Sequence, residues 1–126
     1  GPWYGDHPVK AWDDAEALLR EGLAIRERLQ PDAWTTFNTK SLLGDALLGQ
    51  KKYAEAEPQL LAGYRGLVER EATNPAIGRM RIPPALERLV KLYEAKGDAT
   101  EAAAWRAKLD AARAAESRPS TRESKR

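Results

Sequence analysis

The stretch from Ser41 to Leu61 constrains the fold of this chain more than any other, because it predicts two antiparallel helices joined by a tight turn. Residues spaced three and four apart return to the same side of a 3.6-residue turn, which identifies one apolar face on each helix. Small side chains let two helix backbones approach closely, so we expect the closest contact at Gly44 and Ala56. The larger residues expected to pack around them are Leu47, Tyr53 and Leu60.

The order of residues in this hairpin resembles the tetratricopeptide repeat, in which a large apolar residue, a small one, an aromatic and an alanine recur at fixed offsets. The run GQKKYAEAEPQL is similar to the kinesin-light-chain-like variety of the repeat, although Lys51 stands where that variety usually has glycine. The segment from Arg20 to Tyr64 also resembles repeat segments that follow the kinase domain in some planctomycete-type bacterial serine/threonine kinases. The residues that carry the main resemblance are Leu43, Gly44, Leu47, Tyr53, Ala56 and Leu60.

The resemblance implies an all-α fold of antiparallel helix-hairpin repeats arranged as a right-handed superhelix, with about five helices. We expect residues 1–12 to be irregular, with a protease scar at Gly1 and Pro2, residues 13–115 to form the repeats, and residues 116–126 to be a disordered basic tail. The predicted helices run from Asp13 to Leu29, from Trp34 to Gly49, from Tyr53 to Glu71, from Pro83 to Lys96 and from Glu101 to Ala115. The stretch 73–84 holds three prolines and a glycine and is predicted to be a connecting loop.

Two internal spacings support the repeat interpretation. The first helix matches the third at an offset of 41 residues, so it is expected to be the second half of a repeat whose first half is missing. The fourth helix matches the second at an offset of 46 residues. Helices stacked in this way leave each apolar side to be covered by the next helix of the array.

Composition argues against several classes of function. The 126 residues contain no cysteine, which excludes disulfides and thiolate metal sites and fits a reducing, cytoplasmic location. The net charge is +2, but residues 117–126 carry +3, so the preceding 116 residues sum to −1 and offer no basic face for nucleic acid. Neither a glycine-rich phosphate loop nor a metal-ligand spacing occurs, so we expect no catalytic residues, no metal and no cofactor. No apolar run is long enough to contact a membrane as a span.

In the family that the chain resembles, the first helices of successive repeats line a concave groove that binds a peptide or helix of a partner protein. Carried over to this sequence, the resemblance places the groove on two helices, and Pro84 occupies a matching position on the second of them. The residues that it assigns to partner binding are Asn38, Ser41, Asp45 and Leu48 on one helix and Glu87, Lys91 and Glu94 on the other. The identity of the protein or peptide partner does not follow from the sequence.

Self-association is the alternative interpretation, and a possible homodimer its consequence. The helix from Asp13 lacks the half-repeat that should cover its apolar side, and such a side drives association. The residues expected on it are Leu18, Leu19 and Ile25. The aromatic N-terminal segment could instead cover that side within one chain, in which case Trp3 and Trp12 would be buried. In either case the chain could serve as a regulatory segment of a larger kinase.

Overall fold

The computed structural model describes residues 7–118, which form five helices: α1 (His7–Leu29), α2 (Trp34–Gly49), α3 (Tyr53–Glu69), α4 (Pro75–Lys96) and α5 (Ala99–Ser117). No strand occurs within these residues. Consecutive helices pack against each other, and α2 also contacts α4. The predicted all-α architecture of about five packed helices is therefore confirmed.

The α2–α3 hairpin forms as predicted, and its turn explains the unusual residue in it. Lys51 adopts a φ of 64°, in the left-handed region where glycine is the residue with the least steric cost. Its amide donates to the carbonyl of Leu48 at 2.9 Å, and Lys52 donates to Leu47 at 2.9 Å, so the turn closes the end of α2. Lysine thus holds here a left-handed backbone position that glycine would adopt at the least steric cost.

Helices α2 and α3 approach closely at the predicted Gly44, but their tightest backbone contact is at Gly63, about two helical turns along α3 from the predicted Ala56. A Cβ atom added to Gly63 would lie 2.7 Å from the backbone nitrogen of Ser41 and 2.8 Å from the carbonyl oxygen of Phe37. At Gly44 the same atom would lie 2.5 Å from the side chain of Leu60 and 3.1 Å from its backbone nitrogen. The two backbones therefore approach closely at both glycines and most tightly at Gly63, while Gly44 also makes room for the side chain of Leu60.

Burial repeats with a period of 46 residues, as the sequence predicts. Six buried positions of α2 have buried counterparts in α4 at that offset, and two buried positions of α3 have buried counterparts in α5. Helix packing therefore follows the same register in both hairpins. The pairs are Thr36 and Ile82, Thr39 and Ala85, Leu43 and Leu89, Gly44 and Val90, Ala46 and Leu92, Leu47 and Tyr93, Ala56 and Ala102, and Gly63 and Leu109.

The core consists of two clusters along the array. The first joins all five helices and is centred on fully buried leucines, among them Leu43, Leu60 and Leu89. The second joins α3, α4 and α5 around Leu67 and Leu86. Tyr64 and Trp105 pack against both clusters, with their rings in an edge-to-face contact at 5.2 Å between centroids.

The start of α4 differs from the prediction. Residues 75–84 of the predicted loop 73–84 belong to the helix, which begins with Pro75 at its first turn and continues through Pro83 and Pro84. Proline at the first turn costs no hydrogen bond, whereas the two interior prolines leave the carbonyls of Arg79 and Met80 without their helical donors. Both of those residues are exposed, so water can hydrogen-bond these carbonyls.

The start of α1 also differs. Residues 7–12, predicted to be irregular, are helical, and α1 begins at His7 rather than at Asp13. Within this added segment Trp12 packs over Gly49 at the end of α2, where an added Cβ would lie 2.5 Å from the indole ring. Trp12 thus covers α2 and not the open side of α1. Trp3 and most of the predicted tail lie outside the described residues, although Glu116 and Ser117 complete α5.

Candidate functional site

The parallel helices α2 and α4 lie side by side and form a groove between their facing side chains. Trp34 lies beside Arg81 near one end, and Ser41 and Asp45 lie beside Arg88 farther along. We call this surface the α2–α4 groove. Its residues are Trp34, Asn38, Asp45 and Leu48 on α2 and Arg81, Arg88 and Lys91 on α4. Ser41, which was predicted to bind a partner here, is fully buried and hydrogen-bonds Arg88 instead, so it cannot contact a ligand directly.

Arg88 joins the two walls of the α2–α4 groove. Its Nη1 donates to the hydroxyl oxygen of Ser41 at 3.1 Å, and its Nε lies 3.7 Å from a carboxylate oxygen of Asp45. The side chain is only 17% exposed. Burial lowers the pKa of Arg88, Asp45 opposes that change, and the nearby charge of Arg81 adds to it. Two cations therefore stand close together with a single carboxylate between the walls to balance them.

Arg81 has fewer polar partners than Arg88. Its guanidinium carbon lies 5.8 Å from the centre of the Trp34 ring, within the range of a cation–π contact. Its Nε is buried and has no hydrogen-bond partner within the described part of the chain. A buried donor without an acceptor is costly, so this part of the guanidinium is not stabilised by hydrogen bonding within the described chain. The Arg81 residue as a whole is only partly buried.

A shallow pocket of about 330 Å³ continues the α2–α4 groove toward the α2–α3 turn. Three predicted groove residues, Asp45, Leu48 and Lys91, line it together with Trp12 and Tyr53. Counting Arg81, Arg88, Lys91 and Asp45, the groove carries a net charge of +2. The pocket adds an aromatic and aliphatic wall to that charged surface.

Two predicted groove residues lie elsewhere. Glu87 pairs with Arg113 of α5, and Glu94 pairs with Arg106 of α5 at 3.1 Å. Pro84 and Glu87 also line a depression of about 710 Å³ between α4 and α5. The structure therefore does not bring these carboxylates to the α2–α4 groove, because they point to the neighbouring helix of the same hairpin.

The arginines of the α2–α4 groove were not predicted. Arg81 and Arg88 are seven residues apart, which places them on one face of a helix that includes both. That signal is visible in the sequence, but a helix that starts at Pro83 leaves Arg81 in a loop and hides the pair. Asn38 is half-buried on the α2 wall, one helical turn from Ser41 and two from Asp45.

The residues predicted for self-association divide into two groups. Leu18 and Ile25 are 69% and 52% exposed, whereas Leu19 is half-buried and packs against the first core cluster. Leu19 therefore holds α1 on the array and does not belong to its open face. Leu29, which was not predicted, is 67% exposed and lies on the same side of α1 as the other two.

Polar contacts anchor α1 to the α2–α3 turn through Glu16. Its carboxylate accepts hydrogen bonds from Arg20 at 2.7 Å, Gln50 at 2.8 Å and Lys52 at 3.2 Å. These contacts lower the pKa of Glu16 from 4.5 to about 2, although desolvation opposes them. The hydrogen bond from Arg20 contributes most to this change. Ionised Glu16 therefore stabilises the folded chain.

The pH dependence of stability should reflect this carboxylate. A carboxylate whose pKa is depressed by folding contributes stability above its unfolded pKa, and that contribution is lost as the pH falls toward its folded pKa. We expect the melting temperature to fall between pH 4.5 and about pH 2, and to fall less steeply in Glu16→Gln. Thermal melts followed by circular dichroism at several pH values measure this. Glu27→Gln, an exposed change on the same helix, is the matched control, and equal slopes for Glu16→Gln and the native chain would contradict the assignment.

A second charged cluster ties α3 to α4. The hydroxyl of Tyr93 donates to Glu57 at 2.7 Å, and Lys96 contacts the other carboxylate oxygen at 2.7 Å. Lys96 and Tyr93 lower the pKa of Glu57, and burial together with that carboxylate raises the pKa of Tyr93. The cluster lies between two helices at the surface, and its hydrogen bonds join those helices.

Within residues 7–118 no group of three or more histidine, aspartate or glutamate side chains is arranged to hold a metal ion. None of the helices described combines the length and apolarity that crossing a membrane requires. No protein-family model, curated protein or solved structure that was compared with the chain matches it.

Proposed function

We propose that this chain is a tetratricopeptide-like protein-interaction module, with no catalysis of its own, that binds an extended segment of a partner protein in the α2–α4 groove. The 46-residue period of buried positions and the close approach at Gly63 support a helix-hairpin repeat. A right-handed superhelix, a cytoplasmic location and a place in a larger bacterial kinase are parts of the same proposal.

The observation that carries the proposal is the pair of arginines in the α2–α4 groove. Arg88 has one carboxylate near it, and the buried Nε of Arg81 has no acceptor among the described residues. Charge-assisted hydrogen bonds from arginine to a carboxylate are the strong ones, and low exposure strengthens them further. The groove therefore favours a ligand that brings negative charge.

The spacing of these arginines sets the form of the ligand. Seven residues of helix separate them by about 10 Å along the axis, which equals about three residues of extended chain. The groove from Arg81 to Lys91 spans about 15 Å, enough for about five residues of an extended segment. We expect a short segment with two acidic residues separated by two others, and an apolar side chain near Trp12 and Leu48.

A random 12-residue peptide library displayed on phage provides the probe for this test. Enriched peptides should carry acidic pairs at that separation, and their affinity should fall as salt is raised. Arg81→Gln should weaken binding about tenfold in calorimetric titration, because a charge-assisted hydrogen bond is lost. Asp45→Asn should strengthen binding, because it removes the carboxylate that competes for Arg88.

Arg79→Gln is the matched control, since Arg79 lies on α4 but lines the depression toward α5. We expect it to leave the affinity unchanged. Enrichment of peptides without acidic residues, or equal affinities for Arg81→Gln and the native chain, would contradict the proposed ligand class.

A further inference from the structure

The open side of α1 carries an apolar stripe with a notch in its centre. Leu18, Ile25 and Leu29 are more than half exposed, and Gly22 lies between them. Their spacing of four, three and four residues places all four on one face of the helix. A Cβ atom added to Gly22 would have no atom within 4 Å, so the notch is empty.

The chain itself shows what covers such a notch. Gly63 occupies in α3 the position that Gly22 occupies in α1, 41 residues earlier, and the backbone of α2 packs directly on it. In the α2–α3 hairpin the covering helix runs antiparallel, since Gly63 meets Phe37 and Ser41 while Gly44 meets Leu60. The occupant that fits Gly22 is therefore an antiparallel helix with an apolar face.

We propose that the stripe on α1 pairs with the same stripe on a second copy of this chain, the two helices running antiparallel about a two-fold axis. In this arrangement Ile25 of each copy fills the notch at Gly22 of the other. Leu18 of each copy then lies beside Leu29 of the other. The leucines thus meet apolar partners and the isoleucine fills a space, as knobs and holes do in the seam between paired helices.

The charges along one edge of the stripe complement each other in this register. Glu21 and Arg28 both flank the stripe on the same side, and both are exposed. Neither forms an ion pair among the residues that the structure describes. A two-fold axis brings the same edge of the stripe on each copy together. Glu21 of one copy therefore faces Arg28 of the other, and this charge pair forms twice in each dimer.

The size of this surface makes the dimer weak. One helix pair buries less area than a standard stable interface, so the association should depend on concentration. Sedimentation equilibrium from about 5 to 500 µM should show the mass moving from one copy toward two. A monomer at every concentration would overturn the proposal and leave the stripe for a helix of a different chain.

Substitutions locate the interface. Ile25→Glu should leave a monomer across the whole series, because it places a charge in the notch of the second copy. Met80→Glu is the matched control, since Met80 is an apolar side chain on α4 with 58% exposure, and it should leave the association unchanged. Circular dichroism shows that each variant is folded. An unchanged dimer in Ile25→Glu would overturn the proposed surface.

A charge exchange tests the register independently of hydrophobicity. Glu21→Arg and Arg28→Glu should each weaken the dimer at least about threefold, because each places like charges opposite one another. The double variant restores opposite charges and should return the affinity to the native value. Failure of the double variant to recover would overturn the antiparallel register.

Discussion

Replacing Gly63 with alanine is expected to lower the free energy of unfolding by about 2 to 3 kcal/mol. The added methyl would lie 2.7 Å from the nitrogen of Ser41 and 2.8 Å from the oxygen of Phe37, closer than van der Waals contact allows. Both neighbours are backbone atoms of α2, so the helices must separate rather than repack a side chain. Alanine favours helix over glycine by about 1 kcal/mol, and the expected loss is what remains after that gain.

Gly22→Ala is the matched control for this change. It is the same substitution at the equivalent position of α1, where nothing lies within 4 Å of the added atom. At low concentration, where the chain is monomeric, we expect it to raise stability by about 1 kcal/mol through helix propensity alone. Urea titration of both variants measures the difference. Equal effects at Gly22 and Gly63 would contradict the close packing of α2 on α3.

Truncating Leu60 to alanine is expected to cost about 3 kcal/mol and to lower the melting temperature by about 10 °C. Leu60 is fully buried in the first core cluster and fills the space above Gly44. Its loss leaves a cavity between α2 and α3, because the helices are held apart by their other contacts. Calorimetry of the folded chain measures the change.

Leu18→Ala provides the comparison on an exposed site. Leu18 is also on a helix but is 69% exposed, and we expect its truncation to change stability by less than about 0.5 kcal/mol in dilute solution. A loss at Leu60 as small as that at Leu18 would show that the first core cluster does not hold the hairpins together.

The sequence was sufficient for the hairpin and for the repeat. Local spacing identifies the buried faces of α2 and α3, and the 46-residue offset correctly relates the buried positions of the two hairpins. Gly44 lies at a close contact as predicted, but the tightest backbone contact is at Gly63, about two turns along α3 from the predicted Ala56. Periodicity shows which side of a helix is buried, but the crossing point depends on how both surfaces fit, which one chain segment alone does not specify.

The start of α4 shows where local rules are overridden. Two adjacent prolines favour the start of a helix and disfavour helix in the residues before them. By local rules alone, α4 would therefore begin at Pro83. Here Ile82 and Leu86 are buried against α3 and α5, Pro83 is buried as well, and Pro75 provides an earlier start. Tertiary packing outweighs the lost hydrogen bonds, so the helix extends by eight residues.

The wrong start predicted for α4 also led to errors in the predicted groove residues. Asp45, Leu48 and Lys91 lie in the α2–α4 groove, whereas Glu87 and Glu94 face α5. Ser41 is fully buried and holds Arg88 rather than lining the surface. Arg81 was assigned to a loop and Arg88 was overlooked. Long side chains reach partners that spacing alone does not reveal, and the ion pairs of α4 with α5 depend on which helix lies on each side.

The most direct test of the account is to map the binding surface by nuclear magnetic resonance, titrating the ¹⁵N-labelled chain with the tightest peptide from the library. We predict that amide shifts concentrate in residues 34–48 of α2 and residues 81–91 of α4, and that Arg81→Gln reduces them. Shifts confined to the depression between α4 and α5 or to the open side of α1 would contradict the α2–α4 groove as the binding site.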